Sequence, residues 1–595
     1  MTGTALTWQQ LRDLKLSELE DAADGWNDVS GRSDADGGRV DRAMTAKLRD
    51  TQESESAEAA LGRLQRLRRN FRYLHTECGL VRTTLNGLAA DLAEPQRQLK
   101  QAMEEAAALH FTVHADGSIG YPAAVSDTLT GPKDAPGGSV QGSARLPLEA
   151  PRFGEDFRSP FYPGLKPPNP NVAKAQDIAD RIARAVRSAA EIDGRYARTL
   201  GELKAAEGLD VTEATLKDAY RDTAEVRSTA GKYLADDIPF DKSPAQRKEW
   251  WDGLTDEQRQ EYLNVAPDMI GYLDGVPAVA RDEANRNYLP VLMDKLAGQG
   301  DDDARTKLDA LRMIQEKLNK PSHPPMFLLG IGDEGNGRAI VSYGNPDTAR
   351  NVSAYVPGLG TKLDKEFVED TMKRAKDTAK GAQWYDKSSA AIVWLGYDAP
   401  QHVDVMSTGD AKRGAPDYND FMAGLDATNE NKDPHLTAIG HSYGSLTVGT
   451  AAKQSGGIPG VDDIILLGSP GVGVDKAQDL GVDRSHVFVG AADNDPVTKL
   501  PSKTEVALAG PLGSLIYGDV FDWGNDDLYF GKDPASEAFG AQRFKVDDGP
   551  RPIRDLGGFD AHSQYFTPEL DDESAENIAR IVAGRSEKIS MEEWR

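Results

Sequence analysis

Apolar residues near the start of the chain recur at steps of three and four. Leu64, Leu67, Phe71, Leu74, Cys78, Val81, Leu85, Leu88 and Leu92 form one such seam, and Leu99, Ala102 and Ala106 carry it past Pro95. A sustained alternation of this kind puts one stripe on a helix and predicts helices packed lengthwise, as in a helical hairpin or coiled coil. Upstream, Thr7 with Gln10 and Ser17 with Glu20 have capping-box spacing, and Leu19, Ala22, Trp26 and Val29 follow at helical intervals, with a break expected at DGWNDVSGR. Phe111 to Val113 and Ser118 to Tyr121 flank an Ala-Asp-Gly turn and predict a small β-hairpin that closes a helical domain over residues 1–121.

The pattern then lapses. Residues 122–170 are rich in Pro, Gly and Ser, as in KDAPGGSVQGSARLPLEAPRFG, and read as a flexible linker with too little apolar surface to order itself. A second helical region is expected over 171–325, docked on the domain C-terminal to it. Ile178, Ile182, Ala185, Ala189, Ile192, Tyr196, Leu200 and Leu203 keep one face, and a further helix is predicted near Ala214 to Leu234. Ser243 with Pro244 is an N-cap and first-turn proline, Thr255 with Gln258 is a capping box, and Pro267, Gly271, Gly275 and Pro277 cut the segment into short helices. Trp250 and Trp251 read as packing anchors, and Asp274, Arg281, Asp282 and Arg286 as ion pairs that fix these helices against a neighbour. Asp301, Asp302 and Asp303 open a helix through Leu318, where acids favour the dipole, so they are not read as a calcium site.

From Met326 the period becomes that of strands. MFLLGIG and RAIVSYG, joined by DEGNG, predict a hairpin, and VSAYVPG, AAIVWLG, HLTAIG, DDIILLG and HVFVGA recur between helical or loop segments. Five short apolar runs of this kind predict a buried, mostly parallel sheet flanked by helices, with a last strand near Gln542 to Val546. The fold class is therefore α/β over residues 326–595, preceded by an all-α region. Reactive groups in such a sheet gather at the carboxyl ends of its strands.

One strand end carries a chemical pattern. In HLTAIGHSYGSLTVG an apolar strand runs into a glycine-flanked serine and then a helix of small residues. Gly440 and Gly444, two before and two after Ser442, suit a tight strand-to-helix turn that exposes a nucleophilic serine, while His441 is expected to point away from it. The helix N-terminus behind Ser442 favours an oxyanion, with the Tyr443 NH as first donor. Leu359 or Gly360, in the turn after VSAYVPG, is the candidate for the second. A serine base needs an orienting carboxylate. His562, in GGFDAHSQYF, is the histidine in a late loop after the last strand; Asp495 is the preferred acid, with Asp493 as the alternate in GAADNDPV. The order Ser442, Asp495, His562 is that of α/β-hydrolases.

Charge narrows the partners. Among 595 residues, 96 acidic side chains against 69 basic ones give a net charge of -27, which would repel nucleic-acid phosphates. No apolar run reaches the ~20 residues of a membrane span. The single cysteine, Cys78, falls on the helical seam and excludes an internal disulfide and a cysteine metal cluster; no metal or cofactor is expected. MTGTALTWQQL lacks a basic region followed by an apolar core, so the expected location is the cytoplasm, or outside it by a route without a signal peptide.

The segments WWDGLTDEQRQ, PDMIGYLDGVPAVARDEANR, SAYVPGLGT, VWLGYDAP, GHSYGS, NDPV and HSQYF together resemble an actinobacterial α/β-hydrolase family catalogued as a domain of unknown function, over about residues 240 to 585. The N-terminal helices, with Trp26, resemble the WxG-type hairpins of type VII secretion systems. The first resemblance implies the hydrolase fold and Ser442, Asp495 and His562 as its triad. The expected function is a serine hydrolase cleaving a small-molecule ester, thioester or amide by an acyl-enzyme route. Its rival is an inactive hydrolase fold whose N-terminal helices bind a protein partner or secretion system; a haloperoxidase-like or lyase member of the fold is a third reading. LAGPLGSLIYGDVFDWGNDDLYFGKDPASEAFGAQ, between Asp495 and His562, is long and apolar for a connection, and Phe521, Trp523 and Tyr529 in it are expected in a lid or pocket wall.

Overall fold

The computed structural model describes residues 6–45, 47–48, 54–128, 131–143, 169–203, 211–401, 407–500, 527–551, 555 and 558–595. They fall into two units, Met1–Asp237 and Ile238–Arg595.

The first unit is built on one long helix. After α1 (Trp8–Asp13), held by the Thr7–Gln10 capping box, come α2 (Leu16–Arg39) and α3 (Glu55–Ala108), which continues through a buried Pro95. Strands β1 (Thr112–Val113) and β2 (Ile119–Tyr121) form the expected antiparallel hairpin. β3 (Ala124–Thr128) pairs with β4 (Gly131–Ala135), and β5 (Gly138–Val140) pairs with β2. The amino-terminal part of the segment read as a linker thus contains strands, since backbone pairing needs little apolar side-chain surface. Helices α4 (Asn171–Glu202) and α5 (Glu213–Asp237) also belong here, so the helical region read over 171–325 divides at Asp237. Its apolar face explains this: Ile178, Ile182, Ala185, Ala189 and Tyr196 share one core with Leu88, Leu92 and Leu99 of α3.

Two local expectations fail. Ser17 lies inside α2, whose N-cap is Lys15, so the Ser17–Glu20 box does not form. No break occurs at Trp26; α2 runs unbroken past it along α3, and the indole is 44% exposed. The single seam is also too simple. Because α2, α4 and α5 all pack on α3, burial covers several of its sides in the middle, whereas Leu67 stays exposed.

The second unit opens with short helices α6 (Pro244–Gly253), α7 (Asp256–Val265) and α8 (Pro267–Gly271), the first two started by the Ser243–Gln246 and Thr255–Gln258 capping boxes. Trp251 is buried and Trp250 packs edge-on against Tyr262. Helices α9 (Ala278–Gln299) and α10 (Asp302–Leu318, capped by Asp301) follow. Arg281 pairs with Asp274 at 2.8 Å and donates to the Leu329 carbonyl at 2.9 Å, while Arg286 pairs with Asp282 at 2.7 Å. The Arg281 bond to Leu329, with the Leu328 NH donating to Asp282 at 2.7 Å, ties α9 to the first strand of the main sheet.

That sheet comprises β6 (Met326–Gly332), β7 (Arg338–Tyr343), β8 (Asn351–Val356), β9 (Ser389–Leu395), β10 (His435–His441), β11 (Val461–Leu467), β12 (Val487–Gly490) and β15 (Gln542–Arg543), with a small β13 (Asp527–Leu528) and β14 (Gly531–Lys532) hairpin outside it. Its order is β15-β12-β11-β10-β8-β9-β7-β6. β6 and β7 form the expected antiparallel edge, and β9, β8, β10, β11, β12 and β15 run parallel. β15 is shorter than expected, because Phe544 leaves it to bridge Met591. Side chains alternate across the sheet: Ala390, Ile392 and Trp394 face a core shared with α12 (Thr408–Thr428) and α13 (Tyr443–Ala452). Ala391, Val393 and Leu395 face the other, covered by α9, α10, α11 (Met372–Tyr385) and α15 (Asp572–Val582), with the short α14 (Asp560–Ser563) at one end. Both faces are buried, which is why these strands read as continuous apolar runs. Among the described residues no helix is long and apolar enough to cross a membrane.

Candidate active site

Ser442 sits where β10 ends and α13 begins. Its backbone, at φ 56 and ψ -130, is one that residues with a Cβ rarely adopt, and its NH donates to the Leu467 carbonyl at 2.9 Å. The glycines make room for the turn. A Cβ on Gly440 would lie 2.6 Å from Ser445 Cα, and one on Gly444 would lie 2.1 Å from the Val356 carbonyl oxygen. Gly444→Ala should therefore cost about 1–3 kcal/mol or more by forcing α13 away from β8. Thermal unfolding followed by circular dichroism checks this; an unchanged melting temperature would contradict the close approach.

His562 and Asp495, far apart in the chain, meet. His562 Nδ1 lies 2.9 Å from Asp495 Oδ2 and 3.1 Å from Oδ1. Asp495 is fully buried and also accepts from the Tyr565 hydroxyl at 2.6 Å and the Val497 NH at 2.8 Å. Burial by itself would raise the Asp495 pKa, but the charge and hydrogen bond of His562, with the other donors, bring it below the ordinary value, so the carboxylate is ionised. Burial and then the same carboxylate push the Tyr565 phenol well up, so it remains a donor. Asp493 lies apart: it is half-exposed and accepts from Arg543 and Arg595, each at 3.3 Å. The structure thus brings His562 to Asp495 and not to Asp493.

Gly468 links the pair to Ser442. It follows Leu467, the acceptor of the Ser442 NH, and a Cβ there would sit 2.8 Å from both Asp495 Oδ2 and His562 Nδ1. Among the described residues no hydrogen bond joins Ser442 to His562. His441 was expected to point away from the serine. It is buried, stacks on the His562 ring with centroids 4.6 Å apart, and its Nε2 lies 2.8 Å from the His562 carbonyl oxygen. Gly468, Tyr565 and this use of His441 were missed in the sequence, although HSQYF contains Tyr565 and DDIILLG ends on Gly468.

The oxyanion candidates separate. Gly360 donates its NH to the Pro400 carbonyl at 2.8 Å and so serves the turn, which removes it as a donor. Pro357 has no NH, and its carbonyl is held by the Tyr397 hydroxyl at 2.7 Å. That leaves Gly358, whose Cβ would lie 2.5 Å from Ser442 Cβ, and Leu359. Tyr443 is buried, first in α13, with its amide at the helix N-terminus. Phe521 and Trp523 lie outside the described residues. Tyr529 packs edge-on against Phe530, and Phe530 against Tyr443, so the described end of that segment lies beside α13, the helix that follows Ser442. A cavity of about 280 Å³ lined by Trp384, Tyr385 and Phe566 lies between α11 and α15. No cluster of three His, Cys, Asp or Glu able to hold a metal occurs among the described residues.

At the opposite strand ends, buried Asp463 is met by His435 Nε2 at 2.9 Å and His486 Nδ1 at 2.7 Å. Burial acts to lower the His435 pKa, but the Asp463 hydrogen bond and charge outweigh it and the net shift is upward. A histidine raised in this way contributes fully below its unfolded pKa of about 6.5, and the contribution is lost as pH rises through the folded value. The urea midpoint should therefore fall between about pH 5.5 and 8.5 partly through this residue, and His435→Gln should shrink that difference. An unaltered difference would remove His435 from the account.

The alpha/beta hydrolase family model matches residues 333–505, from the turn before β7 past Asp495. An uncharacterized protein of Mycobacterium bovis, Mb0988c, is 37% identical over 202 residues, covering 32% of this chain and 74% of that protein. The chain belongs to the alpha/beta hydrolase family. A second relative of this alpha/beta hydrolase, the uncharacterized protein Rv2079 of Mycobacterium tuberculosis, is 28% identical over 384 residues, 58% of this chain; the chain spans about half that relative's length, 56%. Among solved structures, a Pyrobaculum calidifontis esterase is similar at 15% identity and a TM-score of 0.26, over 50% of this chain and 98% of that one. An arylesterase is similar at 11% and 0.26, over 51% and 97%. The likeness of the N-terminal helices to type VII secretion proteins is carried by none of these matches.

Proposed function

We propose that this alpha/beta hydrolase is a serine hydrolase that cleaves a carboxylic ester, thioester or amide through an acyl-enzyme. The observations that carry the reading are Ser442 on a strained strand-to-helix turn whose NH meets the Leu467 carbonyl, and, packed on the next residue, Gly468, a buried Asp495 that holds His562 by Nδ1. With Nδ1 engaged, Nε2 is the nitrogen left to take the Ser442 proton. Ser442 Oγ then attacks the acyl carbon, and the oxyanion develops between the NH of Tyr443 and that of Leu359 or its neighbour Gly358. His562 returns the proton to the leaving group, which departs. Water, deprotonated by the same nitrogen, releases the acid and restores Ser442. No cofactor enters this cycle. A partner for the N-terminal helices belongs to the same proposal only as an addition, since the chemistry above uses the second unit alone.

The test is a series of nitrophenyl esters of graded acyl length, assayed with wild type and Ser442→Ala. Turnover that depends on Ser442 is expected. No turnover across the series, with Ser442 inert to acylating probes, would leave the fold as a binding scaffold.

A further inference from the structure

The histidine before the nucleophile is fully enclosed and makes two separate contacts with the residue assigned as base. Its ring lies over the His562 imidazole at 4.6 Å between centroids and 28° between planes, and its Nε2 reaches the His562 backbone oxygen at 2.8 Å. A carbonyl only accepts, so Nε2 carries the proton and Nδ1 is bare. The other walls are aromatic: Tyr565 at 6.0 Å, Phe566 at 5.9 Å and Tyr355 at 6.5 Å. The titratable and charged groups around this nest are His562 with Asp495 beyond it, and Arg374, which donates to the Tyr355 hydroxyl at 3.1 Å and lies over Phe566. Burial, then the facing His562 and Arg374, drive the His441 pKa well down, so the ring is neutral in the working range.

The loop that carries the base needs such an anchor. His562 lies in a four-residue helix, α14, and its side chain is fixed at one end by Asp495. One hydrogen bond at Nδ1 leaves the ring free to turn about it. A face-on neighbour and a grip on the backbone remove that freedom.

Resting on the reading of His562 as the base, we propose that His441 is a positioning residue that holds the His562 ring and backbone so that Nε2 is presented to Ser442. It touches no reacting atom; it acts through His562. A misplacement of about 1 Å at such a contact is worth on the order of 10²-fold in rate.

The experiment separates the two contacts and uses the full chain. His441→Phe keeps a ring for the stack and loses the donor; His441→Gln keeps a donor at similar reach and loses the ring. Each should lower kcat on the best ester of the series by about 10- to 100-fold with KM within about threefold. The decisive arm is the cycle with His562→Ala. If His441 works through the base, adding His441→Gln to His562→Ala should cost less than about twofold more. A loss that multiplies in full, or variants that melt earlier yet keep wild-type kcat, would overturn the proposal and make His441 a packing residue only. Failure of the serine reading itself looks different, because Ser442→Ala would then keep its turnover.

Discussion

Ser442→Ala and His562→Ala should each reduce ester hydrolysis on the order of 10⁴-fold or more while leaving the circular dichroism spectrum close to that of the wild type. Serine, base and acid act as one unit, so losing either of the first two removes the covalent route and not a fraction of it. Neither side chain fills a core. Ser442 caps a turn whose strain comes from backbone, and alanine retains the Cβ that already fits there; His562 lies at the edge of its loop and is partly exposed. The loss should appear in kcat. Steady-state assays with the ester series check it, and wild-type turnover by Ser442→Ala would end the assignment.

The second large effect separates two aspartates only two residues apart. Asp495→Asn should depress turnover by about 10³- to 10⁴-fold, because an amide facing Nδ1 no longer fixes the tautomer that leaves Nε2 as the base. Asp493→Asn should stay within roughly threefold, since its partners Arg543 and Arg595 meet a half-exposed carboxylate whose ion pairs are screened by solvent. Comparison of kcat for the two variants is the check. Equal or reversed losses would move the orienting role to Asp493.

The turn at Ser442 was legible because its requirements are local. Two glycines at fixed spacing, an apolar strand before and a small-residue helix after are all within fifteen residues, and the turn they specify is the one found. The parallel sheet was legible for a similar reason, as both faces of each strand are covered and the runs are continuously apolar. The choice between Asp493 and Asp495 was not, because both stand in one loop and the deciding contacts come from His562, Tyr565, Arg543 and Arg595, far along the chain. Gly360 failed as an oxyanion donor for the same kind of reason: its NH meets Pro400 from the loop after β9, a partner that no local pattern announces. In the helical unit, periodicity located helices but mistook their relation. A seam drawn on one face of α3 does not foresee three helices around it, and a glycine-rich stretch such as DGWNDVSGR reads as a break until packing on α3 holds it helical. The lid expectation for Phe521 and Trp523 stands as a sequence reading, and replacing both with alanine should change preference among acyl lengths more than it changes thermal stability.

The most direct test of the central claim is to treat the full chain with a fluorophosphonate and locate the adduct by peptide mass spectrometry. The account predicts one adduct on the peptide that carries Ser442, absent from Ser442→Ala and strongly slowed in His562→Ala and Asp495→Asn. Labelling that persists undiminished in Ser442→Ala, or no adduct on the Ser442 peptide of the folded wild type, would contradict it.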